Sequence, residues 1–301
     1  MKRALVVTHG FFGDIIFSTT LAKTLKLRYD YRYVDYLIGF PQVLELIQCN
    51  EWIDEIYWNE GEYSSFVRYD HYALESTHDI FQIDRMDFSE IPQKQMHRQC
   101  GLLDRGPLDF TYSVCVDHGL AEQYRTQWWS EGVRKPVVAW GNDMYDRAFE
   151  FTEEEYDRAI DVPYKGYGGR LRDIDYMIKE LGRWFHMVEV GAKHTKQSDP
   201  IPRHDDKSLL ETASIILAAD AYFGIEGGLI NIAAGAGTST VMLSEYVHQL
   251  YGPKGVMWQL EDPQLGPSKY FGDRRHKDLP LYKTSDELVD LTRGYIYNFL
   301  R

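Results

Sequence analysis

Ala221-Tyr222-Phe223-Gly224-Ile225-Glu226-Gly227-Gly228-Leu229-Ile230-Asn231-Ile232-Ala233-Ala234-Gly235 reads as a short apolar strand, an acidic glycine turn and a helix of small residues. A helix N-terminus presents backbone N–H groups that have no partner within the helix, and its dipole favours negative charge there. Glycine ahead of that first turn lets a phosphate approach the backbone closely. The stretch therefore reads as an anion cradle. Its acid, Glu226, is suited to accepting hydrogen bonds from sugar hydroxyls. The same pattern also suits an ordinary strand-turn-helix whose glycines serve only the turn.

A second segment of this kind opens the chain. Ala4-Leu5-Val6-Val7-Thr8 is a buried-strand pattern, His9-Gly10-Phe11-Phe12-Gly13-Asp14 a glycine turn, and a helix runs from there through about Leu27. The apolar and aromatic run Tyr33-Val34-Asp35-Tyr36-Leu37-Ile38-Gly39 follows as a second strand. Strand, helix and strand make a βαβ unit of a parallel sheet, and such sheets bind ligands outside the carboxyl ends of their strands. Asp14 sits at such an end. Lys135-Pro136-Val137-Val138-Ala139-Trp140-Gly141 starts a new strand with its own glycine turn, so the second half repeats the logic of the first.

The two turns together resemble glycosyltransferase family 9, the heptosyltransferase family. Gly10-Phe11-Phe12-Gly13-Asp14 is similar to that family's opening G-x-x-G-D turn, and Glu226-Gly227-Gly228-Leu229-Ile230-Asn231-Ile232-Ala233 to its D-[ST]-G-x-x-H-x-A segment. Ser208-Leu209-Leu210-Glu211-Thr212-Ala213-Ser214-Ile215-Ile216 resembles the helix before the donor strand, and Val188-Glu189-Val190-Gly191 the strand carrying a nucleotide-side glycine. Three positions depart from the family pattern. Glu226 stands for Asp, Gly227 for Ser or Thr, and Asn231 for His, which leaves the donor sugar open. Residues 63–140 match no motif of the family.

The resemblance implies the GT-B fold: an α/β protein of two Rossmann-like parallel-sheet domains facing a central cleft. Residues 1–131 would form the acceptor-side domain, 132–285 the nucleotide-sugar domain, and 286–301 a last helix that packs back toward the first. It implies transfer of a sugar from a nucleotide-diphosphate sugar to an acceptor hydroxyl on a lipopolysaccharide-like glycan. Asp14 is then the general base, on a rigid turn suited to taking the acceptor proton. As a first-turn carboxylate it would also simply stabilise its helix. Glu226, Gly227, Gly228, Leu229, Asn231 and Gly191 are the donor-binding candidates, with Lys193 or Arg147 as a cation for the leaving diphosphate. His9, Gly10, Phe11, Phe12 and Gly13 line the acceptor side. The nucleotide sugar is a co-substrate, and no resident cofactor or metal is expected. The triplet Asp173-Ile174-Asp175 falls within a helical pattern, where its carboxylates face water, and the histidines show no zinc spacing.

Composition narrows the alternatives. A chain of 301 residues, 44% hydrophobic and 26% charged, is long enough for two cores and ordinary for a globular protein. A net charge of −13 disfavours nucleic acid as a partner, and with it a phage-type enzyme that glycosylates hydroxymethylated DNA bases. Arg274-Arg275-His276-Lys277, and Lys165 with Arg170 and Arg172, are the basic clusters, read as solvated faces. Three widely spaced cysteines, Cys49, Cys100 and Cys115, read as free thiols. No apolar run approaches a membrane span, and the cytoplasm is the expected location. An NAD-dependent oxidoreductase would need G-x-G-x-x-G and an acid ending the second strand; Gly10 and Gly13 do not form that spacing, and Asp35 lies inside its strand. A noncatalytic nucleotide-sugar-binding protein remains the other alternative.

Overall fold

The computed structural model describes residues 2–8, 12–58, 77–84, 92–103, 111–141, 174–191, 201–205, 207–225, 227–244, 275–280 and 285–301. They form two compact units, the first ending at Cys115 and the second starting at Val116. Each unit is built on a fully parallel sheet.

In the first unit, β1 (Arg3–Thr8) leads through α1 (Phe12–Tyr29) to β2 (Tyr33–Ile38). Leu5, Val6 and Val7 are buried on both faces of the sheet, which is why β1 reads as a continuous apolar run. Helix α1 ends where Asp30 takes φ 60 and the Tyr31 N–H returns to the Leu25 carbonyl. A short 3-10 turn (Pro41–Val43) and α2 (Leu44–Ile47) follow, then β3 (Ile56–Trp58), β4 (Asp79–Ile83) and α3 (Pro92–Gln99). The strand order is β3-β2-β1-β4. Tyr36 is fully buried and donates its hydroxyl to the Ser18 carbonyl at 2.6 Å, tying β2 to α1. On the opposite face the buried Asp35 carboxylate accepts from Arg3 and from His78 Nε2, both at 2.8 Å. Helix α3 packs on α1 through His97, whose Nε2 meets the Thr24 hydroxyl at 2.8 Å.

The second unit contains α4 (His118–Ser130), β5 (Val137–Gly141), α5 (Ile174–Leu181), β6 (His186–Gly191), β7 (Arg203–Asp205), α6 (Leu209–Ala218), β8 (Ala221–Ile225), α7 (Gly228–Gly235), β9 (Thr240–Ser244), β10 (His276–Pro280) and α8 (Ser285–Phe299). Its sheet order is β10-β9-β8-β5-β6-β7. Counted within the unit this is 6-5-4-1-2-3, the arrangement of dinucleotide-binding folds. One core joins Val138, Trp140, Phe223, Val241 and Leu243 of the sheet to Met177, Ile178 and Leu181 of α5 and to Leu288, Val289, Tyr295 and Ile296 of α8. Each such side chain contributes about 2 kcal/mol of burial.

Helix α4 belongs to the second unit, which starts at Val116 rather than at the expected 132. Ala121, Tyr124 and Trp128 of α4 are buried, the Asp117 N–H donates to Ser214 Oγ at 2.8 Å, and Arg125 caps the Leu217 and Ala218 carbonyls of α6. Helix α8 buries its apolar face on α5, β8 and β9 of the second unit. His276 and Lys277, read as part of a solvated basic cluster, are buried in β10, with Lys277 Nζ 5.6 Å from the Tyr295 ring centre. A lysine stem can pack along apolar surface while its ammonium lies over an aromatic face. Lys165, Arg170 and Arg172 lie outside the described residues. No described helix is long and apolar enough to cross a membrane.

Cys49 and Cys115 are not free thiols but a disulfide. The Cys115 N–H donates to the Leu46 carbonyl, which brings the end of the unit against the turn after α2. Cys100 remains free, and burial pushes its thiol up to about 12, so it is protonated at neutral pH. Because the two paired residues are 66 apart, the link constrains a long stretch of the unfolded chain. Thiol labelling of denatured, unreduced protein should find one reactive cysteine. Reduction should lower stability by up to about 4 kcal/mol, read as a drop in melting temperature. Labelling of three thiols would contradict the disulfide.

Burial depresses the pKa of His97 below its ordinary 6.5, and His186 is shifted the same way for the same reason. Below pH 6.5 the unfolded chain takes up protons that these imidazoles refuse in the folded state, so stability should fall as pH drops from neutral toward 5. In His97→Gln the melting temperature should fall less steeply across that window than in wild type.

Candidate functional site

In each unit the chain reverses direction of travel across the sheet at one point, and ligands of open parallel sheets bind there, outside the carboxyl ends of the strands. In the second unit the reversal lies between β5 and β8, which pair from Val138↔Ala221 to Trp140↔Phe223. The crevice is therefore bounded by Gly141, at the end of β5, and Ile225, at the end of β8. Gly227 is the N-cap of α7, with extended backbone and no side-chain cap. The first hydrogen bond of the helix runs from the Asn231 N–H to the Gly227 carbonyl at 3.4 Å. The N–H groups of Gly228, Leu229 and Ile230 precede that bond and have no partner within the helix.

Every side chain of α7 from Leu229 to Ala234 is buried, including Asn231 at 2% exposure. The helix is thus packed on all sides from Leu229 onward, while Gly227 and Gly228 are half-buried. Gly191 closes β6, the strand beside β5, at φ 139, a backbone conformation that a side chain would strain. Glu189, two residues earlier, is fully buried and lies 3.6 Å from Arg203 of β7.

In the first unit the reversal lies between β1 and β4, whose last residues pair as Thr8↔Ile83. Helix α1 begins four residues beyond Thr8, and Asp14 is the acid of its first turn, partly exposed beside Phe12 and Gly13. Asp35 sits inside β2 with its carboxylate taken up by Arg3 and His78, so it is not an acid poised at a strand end for a ribose. His9, Gly10, Phe11, Arg147, Lys193 and Glu226 lie outside the described residues. Asp175 of the Asp-x-Asp triplet is exposed on the first turn of α5.

One residue of the crevice was not singled out from the sequence. Tyr222 is 1% exposed, and its ring lies along β8 over Gly224, so that a Cβ on Gly224 would stand 2.9 Å from the ring. Its hydroxyl ends against Gly141, where an added Cβ would collide with it and stand 3.0 Å from Leu229 Cδ1. Tyr222 and Gly224 are two apart and share a face of the strand. A large residue followed two positions later by glycine was the available signal.

No protein-family model and no curated protein sequence matches the chain. Solved structures do match it in fold over nearly its whole length. A glycosyl transferase family 9 protein from Veillonella parvula DSM 2008 superposes with a TM-score of 0.57 at 11% identity, covering 99% of this chain and 97% of that one. The E. coli ADP-heptose LPS heptosyltransferase II gives 0.57 at 13% identity over 100% of both chains. An E. coli heptosyltransferase with ADP gives 0.50 at 10% identity, covering 99% and 98%. The chain therefore has the α/β architecture of two parallel-sheet units found in these GT-B structures.

The space around the two kinds of glycine sets a test of this geometry. Gly224→Ala should destabilise the protein by about 1–3 kcal/mol, because the Tyr222 ring must shift within a packed core. Gly294→Ala, in an exposed position of α8 with nothing within 4 Å of the added carbon, should stabilise it by about 0.5–1 kcal/mol. Thermal melts of the two variants should move in opposite directions.

Proposed function

We propose that this chain is a glycosyltransferase that moves a sugar from a nucleoside-diphosphate donor to an acceptor hydroxyl. The observation that carries the reading is the position of two features. A glycine-opened, uncapped helix N-terminus stands at the reversal of the second sheet, and an acid on a first helical turn stands near that of the first.

In the proposed reaction the acceptor oxygen attacks the anomeric carbon while Asp14 takes its proton. The bond from that carbon to the diphosphate oxygen breaks, and its electron pair leaves with the nucleoside diphosphate. Amides of Gly228, Leu229 and Ile230 stabilise the charge that develops there, and they act more strongly in the transition state than before it. Asn231 and Gly191 shape the donor side. Glu226 is assigned to sugar hydroxyls, and Arg147 or Lys193 to the diphosphate. Phe12 and Gly13, with His9, Gly10 and Phe11, are assigned to the acceptor. The mechanism requires the donor held by the second unit to reach Asp14 of the first, and it uses no metal or resident cofactor.

Neighbours in fold are named for ADP-heptose and for a complex with ADP, which makes ADP derivatives the first donors to test. A glycan hydroxyl of lipopolysaccharide-core type is the acceptor class that goes with them.

Thermal-shift titration with ADP, UDP, GDP and CMP derivatives should show stabilisation by one nucleotide family, since a ligand of the folded state raises the melting temperature. With the matching sugar nucleotide, Asp14→Asn should bind normally and lose turnover by about 10²–10⁴-fold. Full turnover in that variant would remove Asp14 from the mechanism. Stabilisation by NAD alone would remove the transferase reading, and nucleotide-sugar binding without turnover in wild type would leave a binding protein.

A further inference from the structure

We infer that the Cys49–Cys115 disulfide is a redox-operated clasp on the linker between the two units, opened by a dithiol reductant. The inference goes beyond the transferase reading and does not rest on it.

Cys115 is the last residue of the first unit before the chain enters the second at Val116. Two residues on, Asp117 is fixed within the second unit. Its N–H donates to Ser214 Oγ at 2.8 Å, and its carboxylate caps α4 by accepting from the Leu120 N–H at 2.9 Å. With the disulfide closed, Cys115 is fixed in the first unit in the same way, tied covalently to Cys49 and by its N–H to the Leu46 carbonyl at 2.7 Å. Val116 is then the one residue between two anchors. The residues before it, from Thr111 onward, form no helix or strand that holds the chain in its place. Opening the disulfide moves the firm anchor back to Tyr112, whose ring packs edge-on against Phe17 of α1 at 5.3 Å. The linker then runs from Ser113 to Val116. For the proposed transfer, in which donor and base belong to different units, that length of free linker is a point of control.

The two sulfurs are not equivalent. Cys49 is exposed in the turn after α2, whereas Cys115 is 6% exposed, so an incoming thiolate meets Cys49. The Cys115 sulfur already accepts the Cys49 N–H at 3.0 Å, and a donor at a sulfur stabilises the thiolate that leaves from it. In the first step the reductant's thiolate attacks Cys49 Sγ, a mixed disulfide forms, and Cys115 leaves as a thiolate and takes a proton. In the second, the reductant's other thiol, deprotonated, attacks the reductant-side sulfur of the mixed disulfide. Cys49 is released and protonated, and the reductant departs as an internal disulfide. Two electrons and two protons pass from the dithiol to the protein. Cys100 does not enter the exchange, because burial holds it as the thiol.

The test uses the full-length protein in its folded state. Dithiothreitol should open the disulfide while circular dichroism stays native. The amides of Val114, Cys115 and Val116 should then exchange with solvent about tenfold faster or more, with the β1 amides still protected. Cys49→Ser, which keeps Cys115, should show the same fast exchange with no reductant. With glutathione followed by alkylation, mass mapping should place the mixed disulfide on Cys49 and the alkyl group on Cys115. A disulfide that is reduced only when the protein unfolds would be a structural staple and would overturn the inference. Linker amides that keep their rate after reduction, or exchange only together with those of β1, would overturn it as well. Glutathione found on Cys115 would contradict the assigned course of opening.

Discussion

The hydrogen-bonded contact between β5 and β8 is the constraint on which the second unit depends. Strands distant in sequence are paired there, from Val138↔Ala221 to Trp140↔Phe223, and the chain has run outward through β6 and β7 before returning. Connections leave such a junction to opposite sides of the sheet, and open parallel sheets bind their ligands at the strand ends there. What lies in that crevice is then set by the residues that end the two strands. Among the described residues these include Gly141, Gly224 and Gly227, and the Tyr222 ring packs against Gly141 and Gly224.

Electrostatics follow from the same arrangement. An N-terminus without a side-chain cap leaves amides of α7 with no partner in the helix, and in the proposed reading these amides meet the diphosphate. A chain with net charge −13 gains little from nonspecific attraction of anions. Directed amides are the form of positive potential that such a protein can localise.

Much of this was legible in the sequence because parallel sheets are buried on both faces. β1, β5, β6 and β8 each read as near-continuous apolar runs, and the glycine turns after them mark the crevice edges. The polar strand β10 was not legible: His276-Lys277-Asp278 has no apolar run, and its burial depends on Tyr295 of a distant helix and on the Thr240 hydroxyl beside His276. Short β7 was missed for the same reason. The allegiance of α4 rests on Asp117 and Arg125 reaching α6, more than 90 residues away, which no local pattern encodes. The Cys49–Cys115 pairing likewise exists only once Leu46 and Cys115 are joined through the backbone. Of the donor-side candidates, Gly227, Gly228, Leu229 and Asn231 lie on α7 and its N-cap, and Gly191 ends β6, the strand beside β5. The Tyr222 packing escaped notice because it depends on Gly141, a glycine of a different strand.

The central claim is that backbone amides of the first turn of α7 receive a diphosphate. Amide-resolved NMR of the full-length protein, titrated with the stabilising nucleoside diphosphate and with its monophosphate, tests it most directly. The account predicts that the largest shifts specific to the diphosphate fall on Gly228, Leu229 and Ile230. Diphosphate-specific shifts that spare these three amides and gather elsewhere would contradict it.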